Sequence, residues 1–408
     1  MPRLHRFAPP LLVAASLVAL AFLPRTGKTV PLYAARTGLM CQSCHFDPNG
    51  GGPRNEFGFA YAKNRHSLEP DTTEAWKDLS LKNRVGDEFP LYFGLNQRFM
   101  LLGSRQDAPA GDPTDRVGFW NMQNSIFAAF QPHAKLTLVY NLEAVGTSYE
   151  SRDAFAVIGI GADHYLKAGQ FRVPFGLRVD DHTVATRNSF LDYQNQARFL
   201  PYDPRRVDRG VELGGGHGNL FARASFTNGT SVNTPPNDQQ HPQAVAAKLG
   251  YNMSAYQGGL SVYDSWARDP FDATKSGRAT RWGYYALAHH GPVALIGELA
   301  AGTDQVWEAG AVTRTNSLAG FAEADWAPHR AYNLRLRYDR LELNRSSDEG
   351  IDAVNSWNRY ALEGEWVPVP FAELRWTMRL IDPVAANDGF GTELKSEKQA
   401  YLQLHVSY

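Results

Sequence analysis

Cysteine is nearly absent from this chain of 408 residues: there are two, Cys41 and Cys44. A disulfide framework is therefore excluded as a source of stability. An excess of charge is missing too, since 41 Lys and Arg stand against 42 Asp and Glu. That balance argues against a polybasic nucleic-acid binder and against an acidic disordered chain. No apolar stretch in the sequence reaches the roughly 18 residues that a spanning helix requires, so a helical membrane protein is excluded as well. What the chain does have is aromatic residues, with 18 Tyr, 22 Phe and 9 Trp. Two architectures survive, a large soluble globule and a transmembrane β-barrel, whose alternating strands hide their apolar half from averages. The aromatic excess favours the barrel.

The first segment reads as an address. Arg3 and Arg6 precede an apolar run from Phe7 to Leu23, and Ala19-Leu20-Ala21 fits an A-x-A cleavage pattern. A basic start, a short apolar run and small residues describe a secretory signal peptide, expected over residues 1–21.

One motif carries chemistry. Cys41-Gln42-Ser43-Cys44-His45 has the C-x-x-C-H spacing of c-type haem attachment. Two thiols on one turn can each form a thioether to a vinyl group of a single porphyrin, and the adjacent His45 is placed as the proximal iron ligand. A zinc site would need further ligands at finger-like spacing, and there is no second cysteine pair. A thioredoxin-type pair would need a βαβ context that the sequence lacks. The sixth iron position is less defined. Residues 55–67 have helix-compatible spacing and carry His66, the candidate distal ligand, while Met100 and Met122 are the thioether candidates. Residues 22–88 are expected to form the haem-binding segment and its linker.

From residue 89 onward apolar residues alternate with polar ones. Leu334, Leu336 and Tyr338 oppose Arg335, Arg337 and Asp339, and Leu402, Leu404, Val406 and Tyr408 oppose Gln403, His405 and Ser407. So many charges of both signs on the polar face suit a wet lumen, where opposite charges pair across strands. Sixteen strands are expected, at 89–103, 117–131, 134–147, 152–161, 163–173, 209–213, 219–228, 243–251, 254–264, 281–290, 292–302, 314–327, 330–344, 356–368, 370–382 and 397–408. Short turns alternate with long polar loops, the rhythm of an antiparallel outer-membrane β-barrel over 89–408. The short connection at 148–151 breaks that rhythm. Aromatic residues near strand ends, among them Tyr92, Trp120, Trp282, Tyr285, Trp326 and Trp366, are expected to form interfacial girdles.

A haem motif followed by such a barrel resembles the fused cytochrome–porin family of outer-membrane electron-transfer proteins, which includes outer-membrane iron oxidases. The resemblance rests on Cys41 to His45, on Asn55-Glu56-Phe57-Gly58 and on the barrel to Tyr408. Where iron-oxidising members carry Ala-x-Pro before the first cysteine, this chain has Gly38-Leu39-Met40. The resemblance implies one haem c, a periplasmic cytochrome as partner, and an extracellular redox partner or metal ion such as Fe(II). The haem segment would enter from the periplasmic side. The chain would then be an electron carrier, or an iron oxidase if Fe(II) is its donor. The alternative is a diffusion porin whose haem segment plugs or gates it. Gly169-Gln170-Phe171-Arg172-Val173-Pro174-Phe175-Gly176 also looks like segments of anion-selective porins, and Asp180, Asp181 and His182 are candidates for holding a cation near the mouth.

Overall fold

The computed structural model describes residues 28–29, 31–76, 79–88, 90–106, 114–145, 148–177, 183–188, 207–229, 244–253, 255–268, 276–308, 311–344, 356–384 and 395–408. The expected export signal at 1–21 and the loop residues Asp180, Asp181 and His182 lie outside them.

Sixteen antiparallel strands close into one barrel. They are β1 (Leu91–Gln106), β2 (Thr114–His133), β3 (Leu136–Val145), β4 (Ser148–Ile160), β5 (His164–Phe171), β6 (Asp208–His217), β7 (Leu220–Thr227) and β8 (Ala244–Met253). The second half comprises β9 (Tyr256–Arg268), β10 (Ser276–His290), β11 (Val293–Glu308), β12 (Ala311–His329), β13 (Tyr332–Asn344), β14 (Trp357–Val369), β15 (Ala372–Pro383) and β16 (Glu397–Ser407). Each strand pairs with the next in sequence, and β16 returns to β1 in the register Ser407↔Asn96 through Glu397↔Gln106. Closure leaves no unpaired edge, which a lipid environment would not tolerate.

The two faces are inverted relative to a soluble protein. On β13, Asn333, Arg335, Arg337 and Asp339 are buried, whereas Leu334 and Leu336 are exposed. Phe119, Trp282, Leu260 and Met378 all face outward, with Phe119 89% exposed. Apolar outside and charged inside is the arrangement that a bilayer stabilises. Of the aromatic residues expected in girdles, Trp120, Trp282, Trp326 and Trp366 are exposed on the outer face. Tyr92 and Tyr285 are instead buried in the interior. Strand parity decides this, because alternate side chains face opposite sides of the barrel.

All sixteen expected strands are present, with displaced ends. The 148–151 connection shrinks because β4 begins at Ser148, close after the end of β3. The loop expected at 303–313 is mostly strand, leaving 309–310 between β11 and β12. There Thr303 donates to Asn316 at 2.9 Å and Asp304 pairs with Arg281, so the ladder continues where both faces are polar and the period-two signal fades. The turn expected at 214–218 is also strand, since β6 runs to His217. Its glycines make room for side chains: a Cβ on Gly214 would lie 2.4 Å from the Tyr165 ring, and one on Gly215 would lie 2.3 Å from His164.

The connections at 134–135, 161–163, 218–219, 254–255, 291–292, 330–331 and 370–371, each of two or three residues, fall on one rim, and the other rim carries the longer connections together with the two-residue ones at 146–147 and 309–310. β1 starts and β16 ends at that rim, so the preceding segment enters the barrel there. It carries α1 (Pro31–Thr37), α2 (Cys41–Cys44) and α3 (Glu56–Lys63). Ala35 of α1 joins an interior cluster with Phe221, Tyr285, Leu287, Ile296 and Phe321 from β7 and β10–β12. Asn49 donates to Glu212 at 2.8 Å, and Lys167 stands 3.1 Å from both Asp47 and Glu212. The loop after β5 also turns inward. Phe175 packs with Tyr263 and several alanines, while α4 (Ala185–Asn188) is held by Arg187 to Glu298 at 3.3 Å and by Asp339 accepting from the Ala185 amide at 3.0 Å. The lumen is therefore occupied by two insertions.

Candidate functional site: a thiol turn facing a lumen cavity

The C-x-x-C-H stretch folds as one helical turn, closed by the His45 amide donating to the Cys41 carbonyl at 3.0 Å. Cys41 and Cys44, at i and i+3, thus share a face of α2. Both are half-buried free thiols. Burial pushes the Cys44 thiol up to about 11, so it stays protonated at neutral pH.

Asn55 fixes α3 against this turn. Its side chain caps α3 by accepting from the Gly58 amide at 2.9 Å, and its own amide group donates to the Ser43 carbonyl at 3.0 Å. Gly58 makes the contact close: a Cβ there would lie 2.1 Å from the Cys44 carbonyl oxygen. The intervening loop holds Gly50, Gly51 and Gly52 with φ of 92°, 78° and 63°. Three left-handed residues in a row require glycine, and a Cβ on Gly50 would press to 3.2 Å on the Cys41 sulfur.

This turn faces a cavity of about 320 Å³ within the barrel. Cys44, His45 and Gly50 to Gly52 form one side, and residues of β1–β3 and β13–β16 form the others. Among the lining residues are seven arginines, including Arg54, Arg98, Arg335 and Arg375, against three glutamates, Glu143, Glu363 and Glu373. The balance is cationic and suits an anionic occupant. The wall behind is a network rather than isolated charges. Arg335 reaches Asp325 and Glu363 at 2.9 Å each, and Arg375 reaches Glu365 at 2.7 Å.

His66 borders the same cavity and is buried. The chain turns back after α3 through two consecutive non-glycine residues with positive φ, Arg65 at 52° and His66 at 60°. Such backbone is costly and persists where surrounding contacts over-determine it. Arg65 is held by Asp71 at 2.5 Å. His66 is held by the Tyr33 hydroxyl, 2.8 Å from Nδ1, and its Nε2 stands 3.5 Å from Glu373. Burial lowers its imidazole to about 4, so the ring is neutral at neutral pH.

Of the residues singled out from sequence, Cys44, His45, His66 and Met122 line one cavity. Cys41 sits on the same turn, Met100 is not among the lining residues, and Met40 packs beneath the apolar cluster of α1. Sequence reasoning did not single out Tyr33, Glu365 or Glu373, which surround His66, or His405, which holds Glu373 at 2.9 Å. On their strands Glu365, Glu373 and His405 are each one polar residue in an alternating series that only the register across strands brings together, and Tyr33 on α1 meets His66 only through the folding of the inserted segment.

No protein-family model matches the chain, and no curated protein does. Solved structures match the barrel. The anion-selective porin of Comamonas acidovorans aligns with a TM-score of 0.59 at 11% identity, over 79% of this chain and all of that one. OmpT of Vibrio cholerae aligns at 0.56 and 10% identity, over 79% and 99% of the two chains. OmpF of Salmonella typhi, in complex with daunomycin, aligns at 0.53 and 13%, over 80% and 100%. The fold is that of an outer-membrane porin.

Proposed function

We propose that this chain is an outer-membrane electron conduit that holds one c-type haem through Cys41 and Cys44, with His45 as iron ligand. The observation that carries this reading is the placement of the C-x-x-C-H turn inside the lumen, facing an arginine-rich cavity. The residues present fit the group. Two free thiols share a helix face, an imidazole follows directly, and the guanidinium groups opposite match the negative charge of propionates. Bound there, haem c would supply a one-electron couple part-way across a hydrocarbon layer that electrons otherwise cannot cross.

The chain's own residues set the conditions. Asn55 and Gly58 hold the thiol turn rigid, and Asn49, Asp47 and Lys167 anchor its loop to the wall. The arginine–carboxylate network presents fixed charge that would tune a bound group's potential. The short-turn rim faces the periplasm in barrels of this type, and there a periplasmic cytochrome would dock. The longer connections would meet an extracellular donor such as Fe(II), which would make the chain an iron oxidase. Proteoliposomes enclosing a redox dye test this: purified protein should pass electrons to the dye, and Cys44→Ala should abolish transfer while the barrel still folds. Absence of transfer by wild-type protein containing haem would overturn it.

The porin fold, with a loop folded into the lumen as Phe175 and Arg187 show, favours a second reading, a diffusion pore plugged by its N-terminal segment. That role requires flux of small solutes through the same liposomes and no delivery of electrons.

A further inference from the structure

The wall beside the cavity holds a group of side chains to which the proposed function gives no role. His66 on the inserted segment, Glu365 on β14 and Glu373 on β15 are all buried, and one ligand atom from each lies within 4.8 Å of the others. The three come from two bodies, the plug and the barrel wall. We propose that His66, Glu365 and Glu373 bind a divalent cation that fastens the N-terminal segment to the barrel.

The spacing argues for a shared ion. His66 Nε2 and Glu373 Oε1 are 3.5 Å apart, at the outer edge of a hydrogen bond. Two donors each ~2.1 Å from a tetrahedral ion lie about 3.4 Å apart. The outer contacts match those that ligating groups require. The Tyr33 hydroxyl fixes Nδ1 of His66, which leaves Nε2 to face the carboxylates. His405 holds the other oxygen of Glu373 at 2.9 Å, and Arg375 holds Oε2 of Glu365 at 2.7 Å. His66 and Glu373 are thus each oriented by a partner that does not occupy the facing atom, as in metal sites. An imidazole with two carboxylates suits zinc, manganese or ferrous iron more than calcium, which takes oxygen ligands alone. The left-handed backbone at Arg65 and His66, and the Arg65–Asp71 pair behind it, hold the imidazole against the wall.

This assignment gives His66 to the cation instead of to the haem iron, and the two roles separate by experiment. Purified full-length protein, stripped with chelator and dialysed against zinc(II), should retain one zinc per chain by elemental analysis. Glu373→Gln and His66→Gln should each weaken that binding by at least tenfold, with unchanged heat-modifiability in gel electrophoresis as the check on folding. The haem absorption bands should be the same in His66→Gln as in wild type. Wild-type protein that retains no zinc overturns the proposal, whether or not the variants fold. So does equal retention by wild type and variants, or a shift of the haem bands in His66→Gln. Haem content is read in the same samples: zinc with no covalent haem removes the proposed electron-transfer role and leaves this site standing, and haem without zinc does the reverse.

Discussion

At the scale of single residues, Gly58 shows how the motif's geometry depends on a neighbour outside it. Any side chain at this position meets the Cys44 carbonyl oxygen, which is backbone and cannot swing aside. Gly58→Val is therefore expected to push α3 off the thiol turn and to lower the fraction of chains carrying covalent haem, measured by haem staining after denaturing electrophoresis. Staining equal to wild type would show that the contact is dispensable. Asp71 gives a pH signature. Burial alone would raise its carboxyl, but hydrogen bonds from Arg65 and Thr73 outweigh that and hold it at about 2. A carboxyl depressed in the folded state contributes stability above its unfolded value near 4, and that contribution is lost as pH falls towards 2. The melting-temperature difference between wild type and Asp71→Asn should be constant from neutral pH to about 4 and should shrink towards zero near pH 2.

At the scale of elements, the wall from β12 to β15 is held by paired charges. Arg335 sits among Glu323, Asp325 and Glu363 with its side chain 7% exposed. Arg335→Met strands these carboxylates, and breaking buried pairs from one side costs about 3–5 kcal/mol. Urea unfolding in detergent should show a loss of that order; a change below about 1 kcal/mol would mean that water or neighbouring Arg337 replaces the missing guanidinium. Much of this element structure was legible beforehand. Period-two alternation located every strand and assigned the faces of β13 correctly, because that strand meets lipid on one side and charge on the other, but Tyr92 and Tyr285, expected in the outer girdles, point inward. Legibility failed where that contrast vanishes. Beyond the apolar belt, β11 and β12 extend through Thr303 and Asn316 with polar residues on both faces. At Gly214 and Gly215 the glycines serve the Tyr165 and His164 rings, a contact that no local pattern reveals. In the site, the thiol turn and the return of His66 were readable from spacing. Glu365 and Glu373 were not, since they meet only through pairing across strands, and neither was Tyr33, which reaches His66 from α1 across the inserted segment.

At the scale of the whole molecule, two insertions occupy the lumen of a barrel that shares its fold with diffusion porins. The anchors of the N-terminal segment lie on opposite walls: Asn49 and Asp47 to Glu212 and Lys167 on one side, Arg54 to the Ser407 carbonyl at 2.7 Å on the other. Wild-type channels in planar bilayers should therefore conduct poorly. The double variant Lys167→Met with Asn49→Ala should open more often, because one wall's hold is released. High wild-type conductance would place the segment outside the pore in solution and would favour the diffusion role.

The claim on which the functional reading turns is covalent occupancy of Cys41 and Cys44, and intact-mass spectrometry of the denatured chain from isolated outer membranes addresses it directly. The expected result is a polypeptide heavier by one haem, with neither thiol open to alkylation. A chain of unmodified mass that takes up two alkyl groups would contradict it.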